Sequence, residues 1–402
     1  MTTNTSRGSL AVKLAGAGVI LGGLAAAGAL WWQGTTFDKK LAEATAQLSE
    51  TFSEANAEIR TAEIDRGMLY RDIAVYLKYD DAELRWIGRA DFGFTPSLSF
   101  SLDKEWGAAP EILSHVTGFS DKLTITTDAI GRSPALDWFV SPFSVKQPDG
   151  TECKMAASRL SGPIAKASSM SLITGSLSCR LGEESFRFGT GRADITYDQD
   201  AQFVSSNTVI DGLSIKNNSE AAVEIRKLSF SSSAASSRKN TEPKEEMKFV
   251  DADWSMAFDG ISVNNFSADR FGFGMRFRNL SEAVMAELAA MSEQPDPDKV
   301  SEIFIEALRS DNLIAEITDC SLERNGGKAS FLGKLGIEGE QFGRFTVSIN
   351  PLTYNDIPEV RDALALVIAL GQFKAEGPLL NADVVLSETG ITVNGQSFGG
   401  LK

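Results

Sequence analysis

The sequence predicts an α+β fold, in which an N-terminal transmembrane helix precedes curved antiparallel β-sheets, a C-terminal helical hairpin and one further helix. Three observations support this prediction. A single uncharged apolar run lies near the N-terminus. Most of the remaining chain alternates apolar with polar residues, which is typical of strands that bury one face. Segments in the C-terminal third show instead the spacing of three and four residues that is typical of amphipathic helices.

The apolar run covers residues 14–32 and ends in Trp31 and Trp32. A helix over this run is about 28 Å long, close to the ~30 Å hydrocarbon thickness of a bilayer, and indole rings favour the headgroup layer. We therefore expect an uncleaved anchor, with residues 1–13 as a cytoplasmic tail. The alternative is a signal peptide cleaved after the small residues at 27–29.

Two features of the N-terminal region predict self-association. Gly18 and Gly22 have the spacing at which transmembrane helices approach each other closely. Across residues 37–57, apolar residues recur at steps of four and three, which predicts an amphipathic helix or a short coiled coil. One interpretation is oligomerisation through the anchor or through this helix. The other, which we favour because two heptads are too few for a coiled coil, is a helix that packs on its own domain.

The rest of the chain is predicted as two domains. Residues 58–230 show repeated alternation between turn dipeptides and are predicted as a β-rich domain. Residues 231–248 have no apolar period and contain Pro243, which predicts a loop or linker. Residues 249–402 are predicted as an α+β domain.

Two apolar stripes mark the clearest strands of these domains. Their members alternate with small or polar residues and are Phe92, Phe94, Leu98 and Phe100 in the first domain, and Phe271, Phe273 and Phe277 in the second. One interpretation is the sealed core of a sandwich or of a sheet covered by helices. The other is an incompletely covered sheet whose apolar face holds a lipid chain or a partner segment.

Three helices are predicted in the second domain. Ser281 is a suitable N-cap for the first, and a turn at 295–298 leads into the second, so the two form a hairpin. The third begins near Pro358, because proline is favoured at the first helical position. A β-hairpin around Gly390 ends the chain.

The three cysteines match no zinc-binding pattern. Cys153 and Cys179 lie in neighbouring strand-rich segments, and we expect them to pair if the compartment is oxidising. Closing that loop stabilises the fold by about 3 kcal/mol in the chain-entropy model. Cys320 is expected to stay free. The alternative is three buried free thiols.

The order of several segments resembles the YdgA-type family of bacterial inner-membrane proteins, a family of unknown function. The matching pieces, beside the anchor, are Trp32-Gln33-Gly34 with the following helix, Asp65-Arg66-Gly67-Met68-Leu69, the helices of Ser281–Leu308 followed by the strands of Ile317 and Leu322, and Gly390-Ile391-Thr392-Val393-Asn394-Gly395-Gln396. The chain is shorter than expected for that family, chiefly in the β regions and after Gly395. The resemblance implies a single-pass inner-membrane protein facing the periplasm, and it carries no catalytic residues.

No catalytic residue, metal ligand or cofactor is predicted. His115 is the only histidine, which excludes zinc sites built from several histidines, and no nucleophile elbow or phosphate-binding loop occurs. The acidic clusters lack the ligand spacing of a calcium loop. The formal charge of -15, without a basic cluster, excludes nucleic acid as an expected partner.

The expected function is therefore that of a non-enzymatic, inner-membrane-anchored periplasmic protein that acts by binding or assembly in the cell envelope. The alternative is a protein with a groove for a lipid or another hydrophobic ligand. The expected partners are the inner membrane and either a lipid or an envelope protein. Burial or exposure of the two apolar stripes separates the two functions.

Overall fold

The structure, a computed structural model, describes residues 42, 45–46, 57–67, 69–79, 82–92, 96–127, 134–164, 167–198, 203–217, 220–236, 249–264, 266–281, 283–284, 286–287, 297–338, 341–387 and 389–398. Of the described residues, 69% lie in strands and 12% in helices. Those up to Asp194 form one compact unit, and those from Ile195 onward form a second. The β-rich character predicted from the alternating pattern is confirmed.

Strands β1 to β13 and the short helix α1 build the first unit. Their bounds are β1 Ala57–Arg66, β2 Tyr70–Tyr79, β3 Ala82–Asp91, β4 Ser97–Leu102, α1 Ala109–Leu113, β5 Val116–Thr117, β6 Asp121–Thr126, β7 Ala135–Val140, β8 Phe143–Lys146, β9 Glu152–Met155, β10 Ser158–Pro163, β11 Ala167–Thr174, β12 Leu177–Leu181 and β13 Glu184–Phe188. Antiparallel pairing follows the order β1-β2-β3-β4-β6-β7-β10-β11. A second ribbon follows the order β5-β8-β9-β12-β13.

The first unit has a sealed hydrophobic core. Leu98 and Phe100 on β4 are 2% and 1% exposed. Gly88 lies opposite Phe100 in the register, and a Cβ at Gly88 would sit 2.2 Å from the Cδ1 atom of that ring. The missing side chain therefore gives the ring its place against the sheet.

A buried carboxylate joins three strands of this core. Asp121 accepts hydrogen bonds from the Trp86 Nε1–H, at 3.1 Å, and from the backbone N–H of Leu102, at 2.9 Å. Burial raises the pKa of this carboxyl above its ordinary value, and the hydrogen bonds oppose the rise.

Strand β14, Gly191–Asp198, leads into the second unit. The elements that follow are β15 Phe203–Ile210, β16 Leu213–Asn217, β17 Glu220–Ser236, β18 Phe249–Val263, β19 Phe266–Ser281, α2 Pro297–Ser310, β20 Ile314–Arg324, β21 Gly327–Glu338, β22 Gln341–Ile349, a 3-10 helix Pro351–Tyr354, α3 Pro358–Ala369, β23 Lys374–Glu376, β24 Leu379–Ser387, β25 Gly390–Val393 and β26 Gln396–Ser397. Antiparallel pairing runs in the order β15-β17-β18-β19-β20-β21-β22-β24-β25-β26. Consecutive strands are therefore neighbours over most of this sheet.

Helix α2 covers one end of this sheet. Its residue Phe304 lies against Phe277 of β19, with ring centroids 6.3 Å apart. Ser281 closes β19, and its hydroxyl accepts a hydrogen bond from the N–H of Val284 at 3.4 Å. This small cluster also contains Leu313, which is fully buried.

The predicted α+β fold, with its transmembrane helix and helical hairpin, is wrong. The helical spacing was assigned correctly for α2 and α3. Strand pairing nevertheless dominates the second unit, in which β17, β18 and β19 are strands of 15 to 17 residues. The first helix of the predicted hairpin lies largely outside the described residues. Only its residues 283–284 and 286–287 are described, and they are helical.

The predicted single-pass inner-membrane location is likewise corrected. Within the described part of the chain, no helix has the length and apolar character needed to cross a membrane. The predicted anchor at 14–32, with Gly18, Gly22, Trp31 and Trp32, lies outside the described residues.

The predicted domain boundaries stay a prediction. The structure divides the chain between Asp194 and Ile195. Strand β17 continues to Ser236, six residues into the segment predicted as a linker, because its backbone pairs with β15 on one side and β18 on the other. Of the helix predicted at 37–57, only residues 42, 45 and 46 are described as helical, and Ala57 begins β1.

Candidate functional site

One side of the second unit's sheet is apolar across its width. Paired residues of neighbouring antiparallel strands point to the same side of a sheet. One row of paired residues runs Leu228, Phe258, Phe271, Leu322, Ala329, Ile349 and Leu380. Adjacent rows on this side contribute Phe230, Trp254, Met256, Phe273, Met275, Phe331, Phe345, Val347 and Val384. These side chains are called the apolar face.

The opposite side of the same sheet is polar. Hydroxyl groups of Ser231 and Ser255 lie 2.7 Å apart across β17 and β18. Arg276 donates to Asp253 at 2.6 Å, and Arg344 forms a two-bond pair with Asp383 on β22 and β24. The polar side is therefore suited to water, and it is called the polar face.

Aromatic rings contact each other across the apolar face. Trp254 meets Phe273 edge to face, with centroids 5.6 Å apart. Phe331 stacks on Phe345 at 5.2 Å. Gly333 makes room for this stack, because a Cβ there would sit 2.0 Å from the Cδ1 atom of Phe345. The strand glycine thus lets a large ring lie flat on the sheet.

The apolar face is open, in contrast to the core of the first unit. Phe271, Phe273 and Phe331 are half-buried, and Trp254 is 38% exposed. Phe100 in the first unit is 1% exposed. The end near Phe277 is covered by α2, and the 3-10 helix Pro351–Tyr354 packs against β20 and β21 on the same side of the sheet. The open part of the face lies around Trp254 and Phe273.

The two stripes predicted from the sequence therefore differ in burial. Leu98 and Phe100 are sealed core, Phe92 packs at the edge of that core, and Phe94 lies outside the described residues. The second stripe, Phe271, Phe273 and Phe277, lies on the apolar face. Sequence reasoning did not assign the aromatic residues of β17, β21 and β22 to a site, because only strand pairing places them on the same side of one sheet as the stripe of β19.

Comparison with family models, with curated proteins and with solved structures finds no match to this chain. The resemblance to the YdgA-type family therefore stays a prediction. The site has to be interpreted from its own geometry.

Cys320 belongs to the apolar face, opposite Phe273 in the register. Burial raises the pKa of its thiol, with a smaller contribution from the neighbouring Asp319. A neutral thiol behaves as a small apolar group. Cys320 is free, so it adds to the apolar surface.

The other two cysteines are joined in the first unit. Cys153 on β9 lies directly opposite Cys179 on β12, and the structure places a disulfide between them with an S–S distance of 2.14 Å. Disulfides persist in oxidising compartments. The bond links two strands of the second ribbon.

A cavity of about 340 Å³ lies at one end of the apolar face. Its polar lining includes Glu224, Arg226, Ser262, Asp269 and Arg324. Among the described residues, no group of three or more histidine, cysteine or acidic side chains could hold a metal ion. The polar groups of the cavity are therefore charged side chains and hydroxyl groups that do not form a metal site.

Arg324 is fixed at the wall of this cavity. Its Nε–H donates to the carbonyl of Ser267 at 2.7 Å, and its two terminal nitrogens donate to Asp356 at 2.6 and 2.5 Å. The guanidinium also lies over the Phe266 ring, 4.9 Å from its centroid. The same pairing holds the pKa of the Asp356 carboxyl below its ordinary value.

Proposed function

We propose that this protein acts by binding the acyl chain of a lipid or a similar hydrophobic ligand on the apolar face, without catalysing a reaction. The incompletely buried aromatic side chains of that face support this proposal most directly. A sealed core would bury them as completely as Phe100. An open face leaves room for a ligand that completes their burial.

The size of the face supports the same proposal. The row from Leu228 to Leu380 crosses the strands β17, β18, β19, β20, β21, β22 and β24. At ~4.8 Å between strands this row is roughly 29 Å wide, and three rows add about 14 Å along the strands. The whole face thus covers roughly 400 Å². Leu228, Ala329 and Leu380 in this row are only 7–8% exposed, so the open patch is smaller. Exposed apolar patches of a few hundred Å² are commonly functional.

A matched pair of variants tests the proposal. Phe331 and Leu332 are neighbours on β21 but point to opposite sides of the sheet, and Leu332 is 42% exposed on the polar face. We expect purified full-length protein to carry lipid that mass spectrometry detects after extraction. Phe331→Gln should lower the bound amount, whereas Leu332→Gln should leave it unchanged.

The competing function is assembly with a protein through the same face. A stoichiometric protein partner or a defined oligomer, with no lipid in the extract, would contradict lipid binding and favour assembly. Equal loss of lipid in the Phe331→Gln and Leu332→Gln variants would show that the apolar face has no special role. Thermal melts of both variants exclude unfolding as the cause.

A further inference from the structure

The cavity continues the apolar face without a break in the register. Next to the row of Leu228, Phe258, Phe271 and Leu322, alternation and pairing place Arg226, Gly260, Asp269 and Arg324 on the same side of β17, β18, β19 and β20. The following row contains Glu224, Ser262 and Ser267. One side of the sheet therefore changes from apolar to charged at the cavity.

Arg226 is a cation of this cavity that has no ion-pair partner among the described residues. Gly260 has a φ of +61°, and a Cβ there would lie 1.8 Å from the Nε atom of Arg226. The guanidinium thus rests against the glycine backbone. Within the part of the chain that the structure describes, it forms no ion pair or hydrogen bond, whereas Arg324 is paired with Asp356.

Two carboxylates of the cavity likewise have no ion-pair partner among the described residues. Glu224 and Asp269 are exposed on the same side of the sheet as Arg226, and neither forms an ion pair with another described residue. The cavity therefore presents one available positive charge and two available negative charges. A purely anionic group would gain one attraction and meet two repulsions.

We propose that this cavity binds the polar head of an amphiphile that carries both an anionic and a cationic group, as in a phosphoethanolamine lipid. The phosphate accepts hydrogen bonds from the Arg226 guanidinium, and the ammonium group donates to Glu224 and Asp269. The acyl chains then extend over Phe258 and Phe271 onto the apolar face. This inference rests on the proposed function, since the head group is placed by the chains.

A competition between two lipids tests the inference. Full-length protein is incubated with vesicles that contain phosphatidylethanolamine and phosphatidylglycerol in equal amounts with the same acyl chains. The protein is then separated by gel filtration, and mass spectrometry gives the ratio of bound lipids. We expect phosphatidylethanolamine to be enriched by about fivefold or more, the effect of a charge-assisted hydrogen bond in a half-open site.

Variants of the cavity should separate the two parts of the head group. Arg226→Gln should reduce the capture of both lipids, because both carry a phosphate, and Arg226→Lys should restore part of it. The double variant Glu224→Gln/Asp269→Asn should shift the ratio toward phosphatidylglycerol. Lys227→Gln is the matched control, because Lys227 is the next residue on β17, is exposed and points to the polar face.

The outcomes distinguish this inference from the proposed function. Equal uptake of both lipids by the unmodified protein, an unchanged ratio in Glu224→Gln/Asp269→Asn, or undiminished uptake by Arg226→Gln would overturn the head-group site and leave acyl-chain binding intact. Uptake of neither lipid would overturn both. Tight retention of water-soluble phosphoethanolamine would contradict the requirement for acyl chains. Circular dichroism of each variant confirms that it is folded.

Discussion

Removing one phenylalanine ring from each unit should have very different effects on stability. Phe100 is 1% exposed and lies over Gly88 in the core of the first unit. Phe100→Ala therefore leaves a cavity and should lower the free energy of unfolding by about 3–5 kcal/mol. Phe273 is half-buried on the apolar face. Complete burial of a phenylalanine is worth about 1.5–3 kcal/mol, so Phe273→Ala should cost about 1–2 kcal/mol, since part of the side chain already contacts water.

The assay must read the two units separately, because they need not unfold together. Hydrogen exchange followed by mass spectrometry of peptides does so at increasing urea concentrations. Peptides of β3 and β4 report on Phe100→Ala, and peptides of β18 and β19 report on Phe273→Ala. The unmodified chain with its disulfide intact is the reference. Equal destabilisation by both substitutions would refute the reasoning, because it would show that the second stripe is also sealed core.

Three further predictions concern stability. Because burial raises the pKa of Asp121, the stability contributed by its protonated carboxyl is fully present below the unfolded pKa and is lost as pH rises through the folded pKa. The stability of the unmodified protein relative to Asp121→Asn should therefore fall as pH rises above about 4 in urea titrations, and a rise would contradict this. The disulfide closes a loop with a sequence separation of 26, so the free energy of unfolding of the Cys153→Ala/Cys179→Ala variant should fall by about 3 kcal/mol. Mass mapping without reductant should find the two cysteine peptides linked, and alkylation of both thiols before reduction would reject the bond. Gly333→Ala should displace the ring that lies over it and cost about 1–3 kcal/mol in thermal melts. Gly336→Ala on the same strand is the control, because its Cβ would meet its nearest atom at 3.5 Å, and an equal cost in both would count against the ring's role.

Local sequence patterns predicted the individual elements well. The alternation of β4 places Leu98 and Phe100 in the core and Ser99 between them, as a period of two requires. Helix α3 begins at Pro358, where proline's fixed φ suits the first helical position. These signals depend on neighbours in sequence, so they can be read without the fold.

The difference between the two stripes could not be predicted from the same patterns. Phe100 and Phe273 sit in similar alternating strands, and only the packing of distant segments decides that one is covered and the other is not. The polar end of the apolar face depends even more on pairing, because Arg226, Asp269 and Arg324 come from separate strands. No local motif marks them as one site.

Binding of an acyl chain on the apolar face is tested most directly by finding where a bound chain lies. Full-length protein is loaded with phosphatidylethanolamine that carries a photoreactive group on its acyl chain, irradiated, digested and analysed by mass spectrometry. We expect cross-links to the apolar face, in the peptides of Trp254, Phe273 and Phe331, and none to the peptide of Phe100. Cross-links to polar-face residues in similar yield, or to the core of the first unit, would contradict it.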